Sequence, residues 1–236
     1  ADKMIGATKK AGVKLMIGEQ VRFIFSKVKK LLDEGVLGDI TIIRSCLLAW
    51  PPSDWMCDPK KGGGMIIDTS VHNADLIRWL TGSEVEKVYA ESRAFVIDKC
   101  KEMMTEDNAI YLLKMKNGVI GEVYSSWTGK GTGGFGLEIF GTKGMMYSHP
   151  LSQPLAVFSA KKAPEEFISE GWNFTSLVPS IKASGWFDSL KHFVECIVKD
   201  EEPIVNGKEG RADLEVVLAA YKSSKTGKPV ELPLKS

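Results

Sequence analysis

Apolar positions along the chain change period several times. Ala1 to Ala11 is spaced as a helix with Gly12 as its stop, and VKLMIG (Val13 to Gly18) predicts a short buried strand. A helix followed by such a strand is the closing step of a parallel α/β unit. The chain is therefore expected to open with the end of a unit whose earlier part lies outside it. SKVKKLLDEG (Ser26 to Gly35) has a serine cap, Val28, Leu31 and Leu32 at helical spacing, and a terminating glycine. LGDITIIRSCLLAW (Leu37 to Trp50) predicts a strand, and PPSDWMCDPKKGGG (Pro51 to Gly64) a loop. GGGMIIDTSVHNADLIRWLTG (Gly62 to Gly82) predicts one helix running to about Leu80 and stopped by Thr81 and Gly82.

From Val85 the period shortens to two. VEKVYAESRAFV, AIYLLKMKNGVIGEVYSSWTG and FGLEIFGTKGMMYSH alternate as strands, with turns at Asn117-Gly118 and Lys143-Gly144; Asn-Gly between two such runs is a hairpin signal. Pro150 to Ser184 predicts a loop-rich region. Trp186 to Asp200 and Gly210 to Gly227 predict two amphipathic helices. The pattern is that of an α+β domain on a large, mainly antiparallel sheet with helices packed on one face.

Composition narrows the function classes. The 236 residues carry 31 Lys and Arg against 30 Asp and Glu, a net charge of +1, which gives no electrostatic reason to expect nucleic acid or an anionic membrane as partner. No apolar run approaches the ~20 residues that cross a bilayer. Cys46, Cys57, Cys100 and Cys196 form no C-x-x-C pair, so neither a metal site nor a disulfide framework is expected, and a reducing cytoplasm is the expected compartment.

The candidate chemistry lies in Gly62 to Gly82. At 3.6 residues per turn Asp68, His72, Asp75 and Trp79 share one stripe, flanked by apolar residues on both sides. Burying a carboxylate beside an imidazole costs several kcal/mol unless the two pair. A paired Asp68 and His72 would hold the ring and raise its pKa, as a general acid/base requires. The same spacing also suits a purely structural pair. The preceding glycines suit either an anion or tight packing, and no G-x-G-x-x-G dinucleotide fingerprint occurs in the chain.

These residues resemble the glucose–fructose oxidoreductase, inositol dehydrogenase and MocA family, which carries a Gly-rich turn, D-x-x-x-H and a helix. AGVKLMIGEQVRF resembles the last strand of that family's Rossmann domain and its crossing into the second domain. EGVLGDITIIRS, TEDNAIYLLKMKNGVIGEVYSSW and LEIFGTKGMM resemble its sheet, and EVVLAAYKSSKTGKPVELPL its C-terminal end. The resemblance implies that residues 1–20 are the last helix and strand of a Rossmann domain, and that 21–236 form the substrate-binding and oligomerisation domain.

It further implies His72 as the residue exchanging a proton with a substrate hydroxyl, and Asp68 as its partner. Gln20 and Arg22 are implied near the cofactor or substrate, with an interdomain salt bridge or a strand-end cap as the equal alternative, and NAD or NADP is implied as the cofactor of the full-length protein. The substrate class is a sugar or polyol, and self-association through the sheet face, as a homodimer or homotetramer, is expected with Ile110, Leu112 and Val123 on that face. Asp75 and Trp127 are candidates for substrate contact, as are Trp50 and Trp55, with core packing the better reading for any one of these tryptophans; Lys60 and Lys130 are weaker candidates, His149 lies outside the stripe, and His192 is expected to be structural or exposed. The family's glycine turn and the lysine of its E-K-P segment are missing from this sequence, so the chain by itself is expected to bind no dinucleotide and to be inactive. The alternative is a noncatalytic module that binds a ligand or assembles.

Overall fold

The computed structural model describes residues 1–49, 53–129, 133–149, 152–160, 169–175 and 185–235. Trp50 and Lys130 lie outside them. The strands are β1 (Ile40–Leu48), β2 (Val85–Arg93), β3 (Asn108–Met115), β4 (Ile120–Ser126), β5 (Gly134–Gly141), β6 (Gly144–His149), β7 (Ser152–Ser159), β8 (Gly171–Thr175) and β9 (Val230–Glu231). They form one mixed sheet in the order β8-β7-β6-β5-β1-β4-β3-β2-β9. β1 runs parallel to β4, and the remaining neighbours are antiparallel. The Asn117-Gly118 turn joins β3 to β4, with Gly118 at φ 90°.

The helices are α1 (Asp2–Ala11), α2 (Val21–Ile24), α3 (Ser26–Asp33), α4 (Asp54–Cys57), α5 (Met65–Asp68), α6 (Ser70–Thr81), α7 (Asp98–Met103), α8 (Trp186–Lys199) and α9 (Gly207–Thr226). α6 lies on β1 and β4, and α9 on β2 and against α6. Alternation then divides each strand. In β3, Ala109, Tyr111, Leu113 and Met115 enter the core under these helices, while Ile110 and Leu112 face outward. Among the described residues no helix is long and apolar enough to cross a membrane.

Several expectations are corrected. Val13 to Gly18 is not a buried strand: Val13 is exposed, and among the described residues the segment's pairing is confined to a bridge, Met16 with Asn206, and the Ile17 N–H donating to the Val205 carbonyl. It has no sheet neighbour within the described residues, so apolar character alone does not make it a strand. The helix over Gly62 to Gly82 breaks at Thr69 into α5 and α6. Within Pro150 to Ser184 two strands, β7 and β8, extend the sheet. α9 starts three residues early because the Asn206 side chain accepts from the backbone N–H groups of Lys208 and Glu209. Ser26 does not cap α3; its hydroxyl donates to the Phe23 carbonyl. Val123 pairs in register with Tyr111 and is fully buried, so Ile120 and Tyr124, one residue out of step, are the outward residues of β4.

Cys57 and Cys100 are joined in a disulfide, with Cα atoms 5.0 Å apart across 43 residues of sequence. Sequence spacing detects local motifs, whereas this pair is assembled by the packing of α4 against α7. The cysteine argument for a reducing compartment therefore loses its ground.

Candidate active site

The break at Thr69 is where the polar residues gather, and a set of buried hydrogen bonds fixes it. On the sheet side, Ser45 Oγ donates to Asn73 Oδ1 at 2.7 Å, and Asn73 Nδ2 donates to Ser125 Oγ at 3.0 Å. Ser70 Oγ donates to Ser125 Oγ at 2.9 Å, and the Tyr111 hydroxyl donates to the Ser70 carbonyl at 3.1 Å. This seam pins the first turn of α6 to β1, β3 and β4. A satisfied buried network rigidifies what it touches, and His72 sits between two of its members.

The glycines before α5 serve packing. A Cβ on Gly62 would strike the Met56 backbone, and one on Gly64 would strike the Glu106 carboxylate. Glu106 Oε1 accepts from the Ile66 backbone N–H at 2.8 Å, so the space above α5 is already filled by a side chain of this protein. Burial pushes the Glu106 carboxyl up to about 7, against the pull of that N–H.

His72 is held by a residue that spacing did not suggest. Its Nδ1 lies 2.5 Å from Glu19 Oε2, across 53 residues of sequence. Glu19 is almost fully buried in the crossing segment, which is anchored by the Ile17 N–H donating to the Val205 carbonyl at 2.8 Å. The ring stands edge-on to Phe135, centroids 6.2 Å apart, and 24% of the side chain remains open. Nε2 has no hydrogen-bond partner among the described residues. Burial works to lower the His72 pKa, but the hydrogen bond and charge of Glu19, with Asp68 and Asp75, raise it above its ordinary value.

Asp68 is near enough for its charge to act on His72, but the two share no hydrogen bond; its Oδ2 accepts from Thr69 Oγ1 at 3.2 Å. Thr69 Oγ1 in turn accepts from Trp127 Nε1 at 2.7 Å. Trp127 is 1% exposed, so its expected contact with substrate gives way to a different task. By occupying a lone pair of Thr69 it leaves that hydroxyl to donate toward Asp68. Burial raises the Asp68 pKa, and Thr69 and His72 oppose the rise.

The lower half of the stripe is closed. Asp75 is fully buried and receives Nε and Nη2 of Arg22 at 2.9 and 2.5 Å. Arg22 also donates to the Ile204 carbonyl and to Glu209, and its guanidinium lies 5.8 Å from the Trp79 ring centre. Neither Asp75 nor Arg22 presents a free polar atom to a ligand, so the expected substrate and cofactor contacts are replaced by a buried ion pair. Gln20 is half-buried and its Oε1 is without a partner. Trp55 is exposed on α4, Lys60 is exposed in the following turn, His149 ends β6, and His192 accepts from the Ile204 backbone N–H. Glu19, Thr69 and Glu106 were missed because each is joined to its partner only by the tertiary fold. Glu19 did leave one trace, a lone acid directly after the apolar run VKLMIG.

Residues 25–147 match the family model described as GFO/IDH/MocA C-terminal domain. The chain is 28% identical over 235 residues to the myo-inositol 2-dehydrogenase of Thermotoga maritima, covering 98% of this chain and 68% of that one. It is 27% identical to the scyllo-inositol 2-dehydrogenase (NAD(+)) of Bacillus subtilis, covering 96% and 65%. The crystal structure of aldose-aldose oxidoreductase from Caulobacter crescentus, complexed with glycerol, superposes with a TM-score of 0.81 at 27% identity, covering 98% of this chain and 68% of that one. The chain thus spans about two thirds of the length of the relatives it matches, and these relatives are oxidoreductases of sugars or polyols. With its helix-backed mixed sheet and its Gly-rich turn leading to Asp68 and His72, the chain belongs to the GFO/IDH/MocA family, whose C-terminal domain it carries.

Proposed function

We propose that this chain is the substrate-binding and self-associating part of an NAD(P)-dependent oxidoreductase acting on a CH–OH group of a sugar, polyol or related small molecule. The single observation that carries the reading is the half-used imidazole of His72: one nitrogen is fixed by a buried carboxylate, the other is unpartnered, and a quarter of the side chain is open. The names of the relatives, two inositol dehydrogenases and an aldose-aldose oxidoreductase, support the substrate class.

The reading assigns no dinucleotide contact to the described residues. Each nitrogen of Arg22 is already engaged, and the turn at Gly62 to Gly64 is filled by Met56 and Glu106. On this reading the cofactor belongs to the third of the relatives' length that this chain does not span, and residues 1–20 are the end of that nucleotide-binding domain. An exposed apolar face on α8, with Phe187, Leu190, Val194 and Val198, suits packing against such a domain. The chain's own residues account for the proton side of the reaction. A carbinol gives up its hydroxyl proton as its carbon is oxidised, and Nε2 of His72 is the acceptor on offer. The return of that proton serves the reduction. Asp68, whose Oδ1 has no partner among the described residues, hydrogen-bonds the same hydroxyl.

His72→Ala in the full-length enzyme is expected to lose turnover by roughly 10²-fold or more; near-parental turnover overturns the role and favours a noncatalytic module. Dinucleotide titration of this chain alone is expected to show no binding, and micromolar affinity would contradict the division of labour. Self-association is assigned to the open sheet face, where Ile110, Leu112, Ile120 and Tyr124 are exposed. Sedimentation should show a dimer or tetramer that Leu112→Glu weakens by roughly tenfold or more, the effect of a core interface residue.

A further inference from the structure

Glu19 has no role in the motif that relates this chain to its family, yet its carboxylate is one of the most deeply buried charges near the site. A carboxylate in such a position is costly unless a donor meets it. The guanidinium three residues along, Arg22, is taken by Asp75, Glu209 and the Ile204 carbonyl. The donor that remains is His72 Nδ1. The backbone offers Glu19 little freedom to turn elsewhere. Its N–H donates to the Ile17 carbonyl at 2.8 Å, the Gln20 N–H donates to the Gly18 carbonyl at 3.0 Å, and Ile17 is tied to Val205.

We propose that Glu19 is the positioning residue of the site: it holds the Nδ1–H of His72, so that proton exchange with substrate runs through Nε2 alone. The inference rests on the proposed role of His72 and adds the atom through which that role is exercised. When a carboxylate occupies one ring nitrogen, the tautomer is decided and the other nitrogen is left for chemistry. Phe135, edge-on to the ring, limits its rotation from the β5 side.

The same geometry sets the charge with which His72 enters the cycle. Three carboxylates surround it: Glu19 from the crossing segment, Asp68 from α5 and Asp75 from α6. Asp75 is neutralised by Arg22 from α2, so Glu19 and Asp68 dominate the field. That field favours the imidazolium and raises the ring's pKa. His72 is thereby a proton donor on the acid side of that raised value, suited to reduction of a carbonyl, and a proton acceptor only above it. Oxidation of the alcohol should gain rate as pH rises through the titration of His72.

The test is an NMR titration of His72 in this 236-residue chain, with the resonance assigned by its loss in His72→Ala. In the parent chain the ¹⁵N shifts of the neutral ring are expected to report a proton on Nδ1; a proton on Nε2 overturns the proposal without any substitution at Glu19. Glu19→Gln keeps the shape and removes the charge, and the His72 midpoint is expected to move down, further than in Asp68→Asn. An unchanged midpoint, or a larger movement in Asp68→Asn, also overturns it. In the full-length enzyme Glu19→Gln should shift the pH limb of kcat/KM in the same direction and lower kcat by about tenfold or more, as loss of the fixed tautomer does to a catalytic histidine, with KM moved less. If the NMR results hold while His72→Ala keeps its turnover, the pairing stands and the catalytic reading falls. If turnover is lost in His72→Ala but Glu19→Gln changes neither titration nor pH limb, the reverse is true.

Discussion

Two polar clusters meet α6 three residues apart, and they are opposites. Around Asp75, Arg22 and Arg78 each donate to two or more acceptors, and Glu209, Glu84 and Asp213 close the circuit. Around His72, one ring nitrogen is bound to a buried carboxylate and the other is idle. Both clusters combine cationic and acidic residues at helical spacing on a largely buried helix. What separates them is saturation. A network whose donors and acceptors are all answered is a strut, while one that stops at an open atom has a valence for something from outside.

Substitution should break the first cluster through stability and the second through turnover. Asp75→Ala leaves the Arg22 guanidinium buried without its main partner, and loss of one member of a buried pair costs about 3–5 kcal/mol. Denaturant unfolding should show that loss. Double replacement of Arg22 and Asp75 by apolar residues of similar size should recover much of it, because the pair's own desolvation cost disappears with it. His72→Ala, by contrast, removes a side chain already partly open but leaves the Glu19 carboxylate without its donor, and should cost about 1–3 kcal/mol, that of an unanswered buried acceptor. A loss as large as that of Asp75→Ala would put the two clusters in one class.

Glu106 supplies a pH-dependent version of the same contrast, since it supports α5 and is not exposed to a ligand. Its carboxyl titrates near 7 when folded, against an ordinary 4.5. A raised pKa means that the folded state holds a proton which the unfolded chain has released. The stabilisation is complete below about 4.5 and is lost as pH rises through about 7. The shift corresponds to about 3 kcal/mol over that window. Glu106→Gln, which stays neutral, should flatten this part of the stability profile; an unchanged slope would show that Glu106 is ionised in the folded protein.

How far the sequence reveals these clusters depends on the range of each interaction. The alternation of β3 and β4, the Asn117-Gly118 turn and the spacing of α9 are local, and periodicity reads them. The stripe on α6 is also local, and it brought forward Asp68, His72 and Asp75 together. It could not rank them, because Glu19, Arg22 and Asp213 approach from 53, 53 and 135 residues away from the residues they bind. The break at Thr69 is similarly invisible: MIIDTSVHN has no proline or glycine, and it is the Trp127 indole, 58 residues on, that claims the threonine hydroxyl. Cys57 and Cys100 belong to the same class. β7 and β8 were hidden for another reason, since their short runs lie among prolines, glycines and polar residues that read as loop.

The smallest effect is the most discriminating. Asp213 is the test of whether the Asp75 cluster is saturated, because its Oδ2 is buried with no donor. Burial and the charge of Asp75 push its carboxyl up to about 9, with Arg78 pulling the other way, a balance that favours its protonated form at neutral pH. A proton on Oδ2 would make that oxygen a donor, with the neighbouring Asp75 carboxylate, whose charge it feels, as the acceptor. Asp213→Asn puts an amide donor in the same place, and its cost at pH 7 should be about 1 kcal/mol or less, that of exchanging one satisfied hydrogen bond for another. The parent's stability should fall between pH 7 and 9, because a raised carboxyl pKa gives stabilisation that is complete below about 3.8 and lost as pH rises through about 9. Asp213→Asn should remove its part of that fall. A cost of about 3–5 kcal/mol at pH 7 would instead mean that Asp213 is an ionised partner of Arg78. The cluster would then contain an open valence after all, and saturation would cease to distinguish a strut from a site.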